Sequence, residues 1–216
     1  MKTPKTLLLT AALAASLCSV NLYANPTTEI LANYNLAAEG NEALVDTVYG
    51  QLNTLLEEQG AKPLTMVYLG STQTLQGRDA FLPWNKMELT EQGLATIAKG
   101  IALLDTLPEN IDQQERIQGL LESHLAQAMA AITYTSLPDM FNHFERGYDL
   151  YLNLLNDPSF AQQPFAASSW VYSSGIAAAL RADDLSQAQA WLSTMQKLDA
   201  SSAQTQAAEN MIAEQG

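Results

Sequence analysis

Apolar residues recur at intervals of three and four through segment after segment of this chain, and no stretch alternates polar with apolar between turn residues. A helix with such a stripe can bury it only against other helices, so the pattern restricts the chain to an all-α fold. The tightest local specification lies between Pro63 and Pro108. Leu64 to Gln76 predicts one helix and Asn85 to Leu107 a second, with a connecting loop from Gly77 to Trp84. Pro63 suits a first helical position, where a missing N–H needs no partner, and Gly77 suits a left-handed helix end. Asn85 and Glu88 have the spacing of a capping box, with Trp84 and Leu89 placed as a hydrophobic staple around it. The second helix carries Leu94, Ile97, Ala98, Ile101 and Leu104 on one stripe, and Gly93 and Gly100 lie beside it, where another backbone can come close.

Two helices are predicted before this hairpin, Thr28 to Glu39 and Asn41 to Gln59, followed by Gly40 and Gly60. After it, Asp112 to Thr133 opens on a second capping-box spacing, Asp112 with Glu115, and is expected to be one helix. Leu137-Pro138 restarts the chain, and a helix carrying Phe141, Phe144, Tyr148, Leu152 and Leu155 stops before Pro158. Phe165 to Ala182 is rich in serine and alanine, which permit close packing. Asp184 to Asp199 begins with Asp184 and Gln187 at cap spacing, and residues 201–216 form a polar closing helix or tail. Short connections make neighbouring helices antiparallel, so roughly four helical hairpins follow in order, the layout of an α-solenoid.

Residues 1–24 read as a secretory signal: Lys2 and Lys5 are its positive start, Leu7 to Val20 its apolar run, and Tyr23-Ala24 its cleavage site. The expected location is therefore the periplasm or the cell exterior. Cys18, the only cysteine, falls in this segment, so a chain cut after Ala24 has neither disulfides nor thiol chemistry. Once Lys2 and Lys5 are removed, eight cations face 23 acids, a net charge of −15. Such a surface repels nucleic acid and anionic lipid. No later stretch is apolar for long enough to span a bilayer, and no integral membrane segment is expected beyond the signal.

The second helices resemble those of tetratricopeptide repeats. That family places a small residue, a large one four positions on, another small one three later, and a proline near the helix end. Here the sets are Gly93, Ile97 and Gly100 with Pro108, then Gly147, Tyr151 and Leu154 with Pro158, then Ala188, Leu192 and Met195 with Ala200 in place of proline. Leu69-Gly70 resembles the Leu-Gly pair of the family's first helix. The array is divergent: Met66 stands in place of the family's tryptophan, Gln73 in place of its tyrosine, and the repeat starts are irregular. The resemblance implies a TPR-like domain over residues 25–200 with a concave face lined by first helices. Met66, Tyr68, Gln73, Tyr172 and Ile176 are then the residues expected to meet a partner. The Leu-Gly helix followed by Arg-Asp and Pro-Trp is also similar to small bacterial periplasmic proteins, some of which accompany solute transporters.

Arg78, Asp79, Phe81, Trp84 and Lys86 form the most distinctive cluster, with two of the eight cations beside two large aromatics. Arginine and aromatic side chains supply much of the energy of recognition surfaces, so Tyr68, Arg78, Asp79, Trp84 and Lys86 are the candidate ligand-binding set. The same residues also suit packing: Trp84 stapled on Leu89, Phe81 and Leu82 over the core, Arg78 paired with Asp79. His124 lies between Leu121 and Leu125 on an apolar face and reads as a hydrogen-bonded core histidine. With no His-Glu-x-x-His and no paired cysteines, no metal is expected. Ser173-Ser174-Gly175 lacks the nucleophile elbow and no Gly-rich phosphate loop is present, so neither a cofactor nor an enzyme is expected. The functional expectation is an exported scaffold or adaptor that binds a protein or peptide partner. The alternative is a small-solute-binding accessory subunit of a transporter.

Overall fold

The computed structural model describes residues 25–214; the expected signal segment and Cys18 lie outside the described residues. Nine α-helices run through them: α1 (Thr28–Ala38), α2 (Glu42–Gln59), α3 (Pro63–Asp79), α4 (Pro83–Ala102), α5 (Glu122–Ser136), α6 (Phe144–Leu155), α7 (Phe165–Arg181), α8 (Leu185–Asp199) and α9 (Ala203–Ala213). The only strands among the described residues, β1 (Arg116–Ile117) and β2 (Leu120–Leu121), form one small antiparallel ladder. The all-α expectation therefore holds. Connections of three residues join α1 to α2, α2 to α3, α3 to α4, α7 to α8 and α8 to α9.

α3 is the centre of the packing. It touches α1, α2, α4 and α5, and the run from Pro63 to Thr72 is buried on every side. The buried hydroxyls of Ser71, Thr72 and Thr74 are satisfied within the helix or across it. The Thr72 hydroxyl donates to the Tyr68 carbonyl at 2.8 Å and the Thr74 hydroxyl to the Ser71 carbonyl at 2.7 Å, which removes the cost of burying them. Against this helix lies α4, antiparallel and unusually close. A Cβ added at Gly70 would sit 2.5 Å from the Gly93 carbonyl oxygen, and one added at Gly93 would sit 2.5 Å from the Gly70 carbonyl oxygen. Gly100 faces Val67 and Gly77 faces Thr90, so the approach continues along both helices. The next pair repeats the device: Gly147 of α6 lies against Ala131, Tyr134 and Thr135 of α5. First helices also contact one another, α3 with α5, α5 with α7 and α7 with α9.

Three local expectations are corrected. Gly77 does not end the first hairpin helix. It stays helical and buried because Thr90 of α4 occupies the place of a side chain, and α3 carries Arg78 and Asp79 in its last turn. The connection is only Ala80 to Leu82. α4 accordingly begins at Pro83, with Leu82 as its capping residue, so Asn85 and Glu88 are inside the helix and no capping box forms. Trp84 in turn occupies the first turn instead of the staple position. It is 65% exposed and Phe81 is 92% exposed, so neither covers the core.

The third correction concerns residues 112–121. The expected helix does not start at Asp112; a short 3-10 turn, Ile111–Gln113, leads into the β1–β2 hairpin, and α5 starts at Glu122. Gln118 (φ 51°) and Gly119 (φ 86°) both take the left-handed conformation of a tight hairpin turn. Ile117, Leu120 and Leu121 still face the core, because their spacing satisfies a hairpin as well as a helix. Gly119 sits where a Cβ would fall 2.7 Å from Ala167, which fixes the hairpin against α7.

Elsewhere the helix starts follow local chemistry. The Asp184 side chain accepts from the Gln187 amide at 3.0 Å, and the Ser202 hydroxyl accepts from the Thr205 amide at 3.1 Å. The closing helix α9 forms and packs on α7 and α8 through Thr205 and Ala208.

Helix propensity favours alanine over glycine by about 0.8–1 kcal/mol, whereas forcing volume into a packed contact costs about 1–3 kcal/mol. At Gly50 of α2 a Cβ meets nothing within 4 Å. Urea unfolding is therefore expected to show Gly50→Ala stabilising the protein and Gly93→Ala destabilising it. Equal effects of the two substitutions would show that the α3–α4 approach is not tight.

Candidate functional site

A cleft of about 990 Å³ opens between α1, α3, the first turns of α4 and the end of α5. Its floor is laid by packing. The Tyr34 ring meets the Tyr68 ring edge-on with centroids 4.8 Å apart, and Tyr68 is 1% exposed. Beneath them the Thr133 hydroxyl donates to the Met129 carbonyl at 2.8 Å and accepts from the Ser71 hydroxyl at 2.8 Å, tying α5 to α3. Burial raises the pKa of the Tyr34 phenol, against the pull of the Ser71 and Thr133 hydroxyls and the Arg78 charge. Burial and the neighbouring Tyr34 raise that of Tyr68. Both phenols are neutral at any ordinary pH.

The walls are apolar. Leu75 and Met87 stand on one side and Met129 and Ile132 on the other, while Leu137, Met140 and Phe141 close the end beyond α5. Trp170 of α7 and Gln118 of the hairpin reach the far margin.

Three of the five expected ligand-binding residues, Tyr68, Arg78 and Lys86, line this cleft, and Asp79 and Trp84 do not. Arg78 is committed to the fold. Its Nε donates to Asp79 Oδ1 at 2.6 Å and its Nη2 to Asp79 Oδ2 at 2.8 Å. Nη1 and Nη2 donate to the carbonyls of Ala38 and Ala37 at 3.1 Å, closing the free end of α1. The Asp79 carboxylate raises the Arg78 pKa further, so its charge is permanent. Lys86 Nζ donates to the Arg78 carbonyl at 2.6 Å and does the same for α3. The arginine–aspartate pairing anticipated as a packing role is thus present, and the mouth of the cleft offers no idle cation.

Trp84 lies outside the cleft, on the outer face of α4, where it lines a shallow depression with Met87, Glu88, Glu91, Gln92 and Ala95. Met87 belongs to both surfaces. The concave-face list fares differently: Met66, Tyr172 and Ile176 are buried in the core, because the faces of α3 and α7 that carry them are covered by neighbouring helices. Tyr34, Met129, Ile132 and Met140 were not singled out from sequence. Tyr34 lies on α1, Met129 and Ile132 on α5 and Met140 in the turn after it, with no shared motif, and only the arrival of α1 and α5 beside α3 brings them together.

A second polar cluster lies at the start of α5. His124 is 2% exposed, with Nε2 3.1 Å from the Ser159 hydroxyl and 3.8 Å from Asp157 Oδ2, and its ring edge meets Phe160. A nucleophilic relay needs the serine and the acid on opposite ring nitrogens. Here both address the same one, so the histidine secures the turn at residues 157–160. Burial lowers its pKa; Arg116 adds to that effect and Asp157 opposes it. Among the described residues no group of three or more His, Cys, Asp or Glu is placed to hold a metal ion, and no helix is long and apolar enough to cross a membrane.

Compared with protein-family models, curated proteins and solved structures, the chain has no match.

Two outcomes follow from this geometry. A histidine held neutral by burial binds fewer protons folded than unfolded, so its contribution to stability is whole above the ordinary histidine range near 6.5 and is lost as the pH falls below it. Urea midpoints measured from pH 7.5 to 5 are expected to decline, and to decline less in His124→Gln. In the second case, Arg78→Gln is expected to cost about 1 kcal/mol through the Ala38 carbonyl and the Asp79 carboxylate, which lose their partner. The exposed Trp84→Ala is expected to stay within about 0.5 kcal/mol of the parent. The reverse order would restore the staple.

Proposed function

We propose that this protein is an exported, TPR-like binding module that takes an apolar stretch of a protein or peptide partner into the cleft between α1, α3, α4 and α5. The observation that carries the reading is the state of the cleft's polar groups. The Thr74, Thr133 and Ser136 hydroxyls, Arg78 and Lys86 are satisfied by the fold, so apart from Asn35, Glu39, Thr90 and Gln118 the lining offers a ligand mainly hydrocarbon, sulfur and ring surface. Such a lining stabilises a bound partner by removing apolar area from water, and it has no group placed to polarise a bond.

The solenoid part of the proposal rests on two supports. First helices contact first helices from α3 to α9, and glycine sits at the matching close approach in the α3–α4 and α5–α6 pairs. Stacked hairpins of this type recognise partners through surfaces, not reaction centres.

The size of the cleft favours a second reading. A volume of about 990 Å³ falls within the range of small-molecule pockets, and Arg78 and Phe141 both line it, which fits a solute-binding accessory subunit of a transporter.

A photo-crosslinking residue at Met140, on the rim, separates the two. Partner binding predicts discrete protein adducts from Met140 that vanish when Met87→Glu is added, with none from an equivalent probe at the exposed Gln189 of α8. The same adducts at both positions would sink the partner reading. No adduct at either, with saturable uptake of a neutral naphthylamine dye, would move the assignment to a small solute.

A further inference from the structure

The acidic groups around the cleft, together with its methionines and exposed aromatics, specify the partner more narrowly, granted the peptide-binding reading above. Phe81, Trp84 and Met140 are the three most exposed large apolar residues of the described chain, at 92%, 65% and 68%. Trp84 and Met140 each line one of two surfaces that share Met87. Apolar surface therefore continues from inside the cleft over its rim and along the outer face of α4, where Trp84, Met87, Glu88, Glu91 and Ala95 follow one another at helical spacing. Leaving such side chains in water is unfavourable for a free-standing protein and marks a contact surface. Met87, Met129 and Met140 supply flexible, polarizable walls that adapt to an apolar helix face, the recognition mode in which a helix lies in a groove.

Charge sets the other half of the specification. Glu39 lines the cleft and Glu88 and Glu91 line the adjoining depression. The ion pairs seen among the described residues are Arg78 with Asp79, Arg181 with Asp139 and the His124 contact with Asp157, none of which neutralises these three acids. The cations that line these two surfaces, Arg78 and Lys86, hold helix-end carbonyls. An anionic ligand would meet no available positive group and three carboxylates.

We infer that the cleft and the outer face of α4 form one docking surface for a basic amphipathic helix of a partner protein, its apolar stripe on Met87, Met140 and Trp84 and its cations against Glu39, Glu88 and Glu91. Opposite charges around an apolar groove guide encounter and select the partner more than they add affinity.

The test uses the full mature chain, a neutral naphthylamine dye and two synthetic peptides of about 15 residues, long enough to form a helix on binding. One is built of leucine and lysine and the other of leucine and glutamate, with identical leucine positions. Binding is read from tryptophan emission and from dye displacement. The leucine–lysine peptide is expected to bind about tenfold more tightly at low salt, with the preference falling as salt rises. Glu88→Lys with Glu91→Lys should abolish that preference, while Glu57→Lys with Glu58→Lys, an equal change of charge at the far end of α2, should leave most of it. If both peptides bind alike, or both double variants weaken binding equally, the charge specification is overturned while the peptide-binding function stands. If neither peptide displaces a bound dye, the peptide-binding function itself fails in favour of a small solute. If even the dye does not bind, the cleft is not a site.

Discussion

The contact between the Gly70 and Gly93 backbones is the interaction on which the remaining arrangement depends. Two helices that meet through side chains stay 8–10 Å apart, and glycine at the crossing lets them come closer. Each glycine gives up helix propensity, an unfavourable local choice that is offset only by the dispersion contacts of the close approach. Because α4 is drawn against one side of α3, the remaining sides of α3 are covered by α1, α2 and α5, and that central helix is buried all round from Pro63 to Thr72. The cleft is what is left where α1, α4 and α5 surround the C-terminal half of α3 without closing over it.

The same closeness explains the odd character of the α3–α4 connection. With Gly77 buried against Thr90, the helix cannot turn at that glycine, so it runs on to Asp79 and places Arg78 beside the end of α1. A single arginine then holds two carbonyls of α1 and both oxygens of Asp79, and Lys86 holds the carbonyl of that arginine. Residues that look like a charged recognition loop in sequence are therefore a clamp between three helix ends. The aromatics displaced from the clamp, Phe81 and Trp84, are turned to solvent instead of sealing the core.

Much of the fold was legible because its signals are local. Helical spacing gave the helices, glycines gave the ends of α1 and α2, and Asp184 gave the start of α8 through a hydrogen bond made within one turn. Residues 112–121 were misread because Ile117, Leu120, Leu121, His124 and Leu125 satisfy helical spacing, whereas two consecutive positive φ angles at Gln118 and Gly119 break it. A glycine in mid-segment was the available sign. Of the candidate site, Tyr68, Arg78 and Lys86 were found from residue type alone. Their partners across the cleft, Tyr34, Met129, Ile132 and Met140, were not, since nothing in the chain order links positions from 34 to 140.

By itself, then, the sequence determined the class of fold, the acidic balance of the surface and the order of the helices, each of which depends on the residues' own chemistry or on neighbours within a turn or two. The tertiary structure alone decided which glycines mark a turn and which a close approach, which cations are occupied, and where uncovered apolar surface gathers. Those properties depend on distances between residues far apart in the chain, and such distances exist only once the helices have packed.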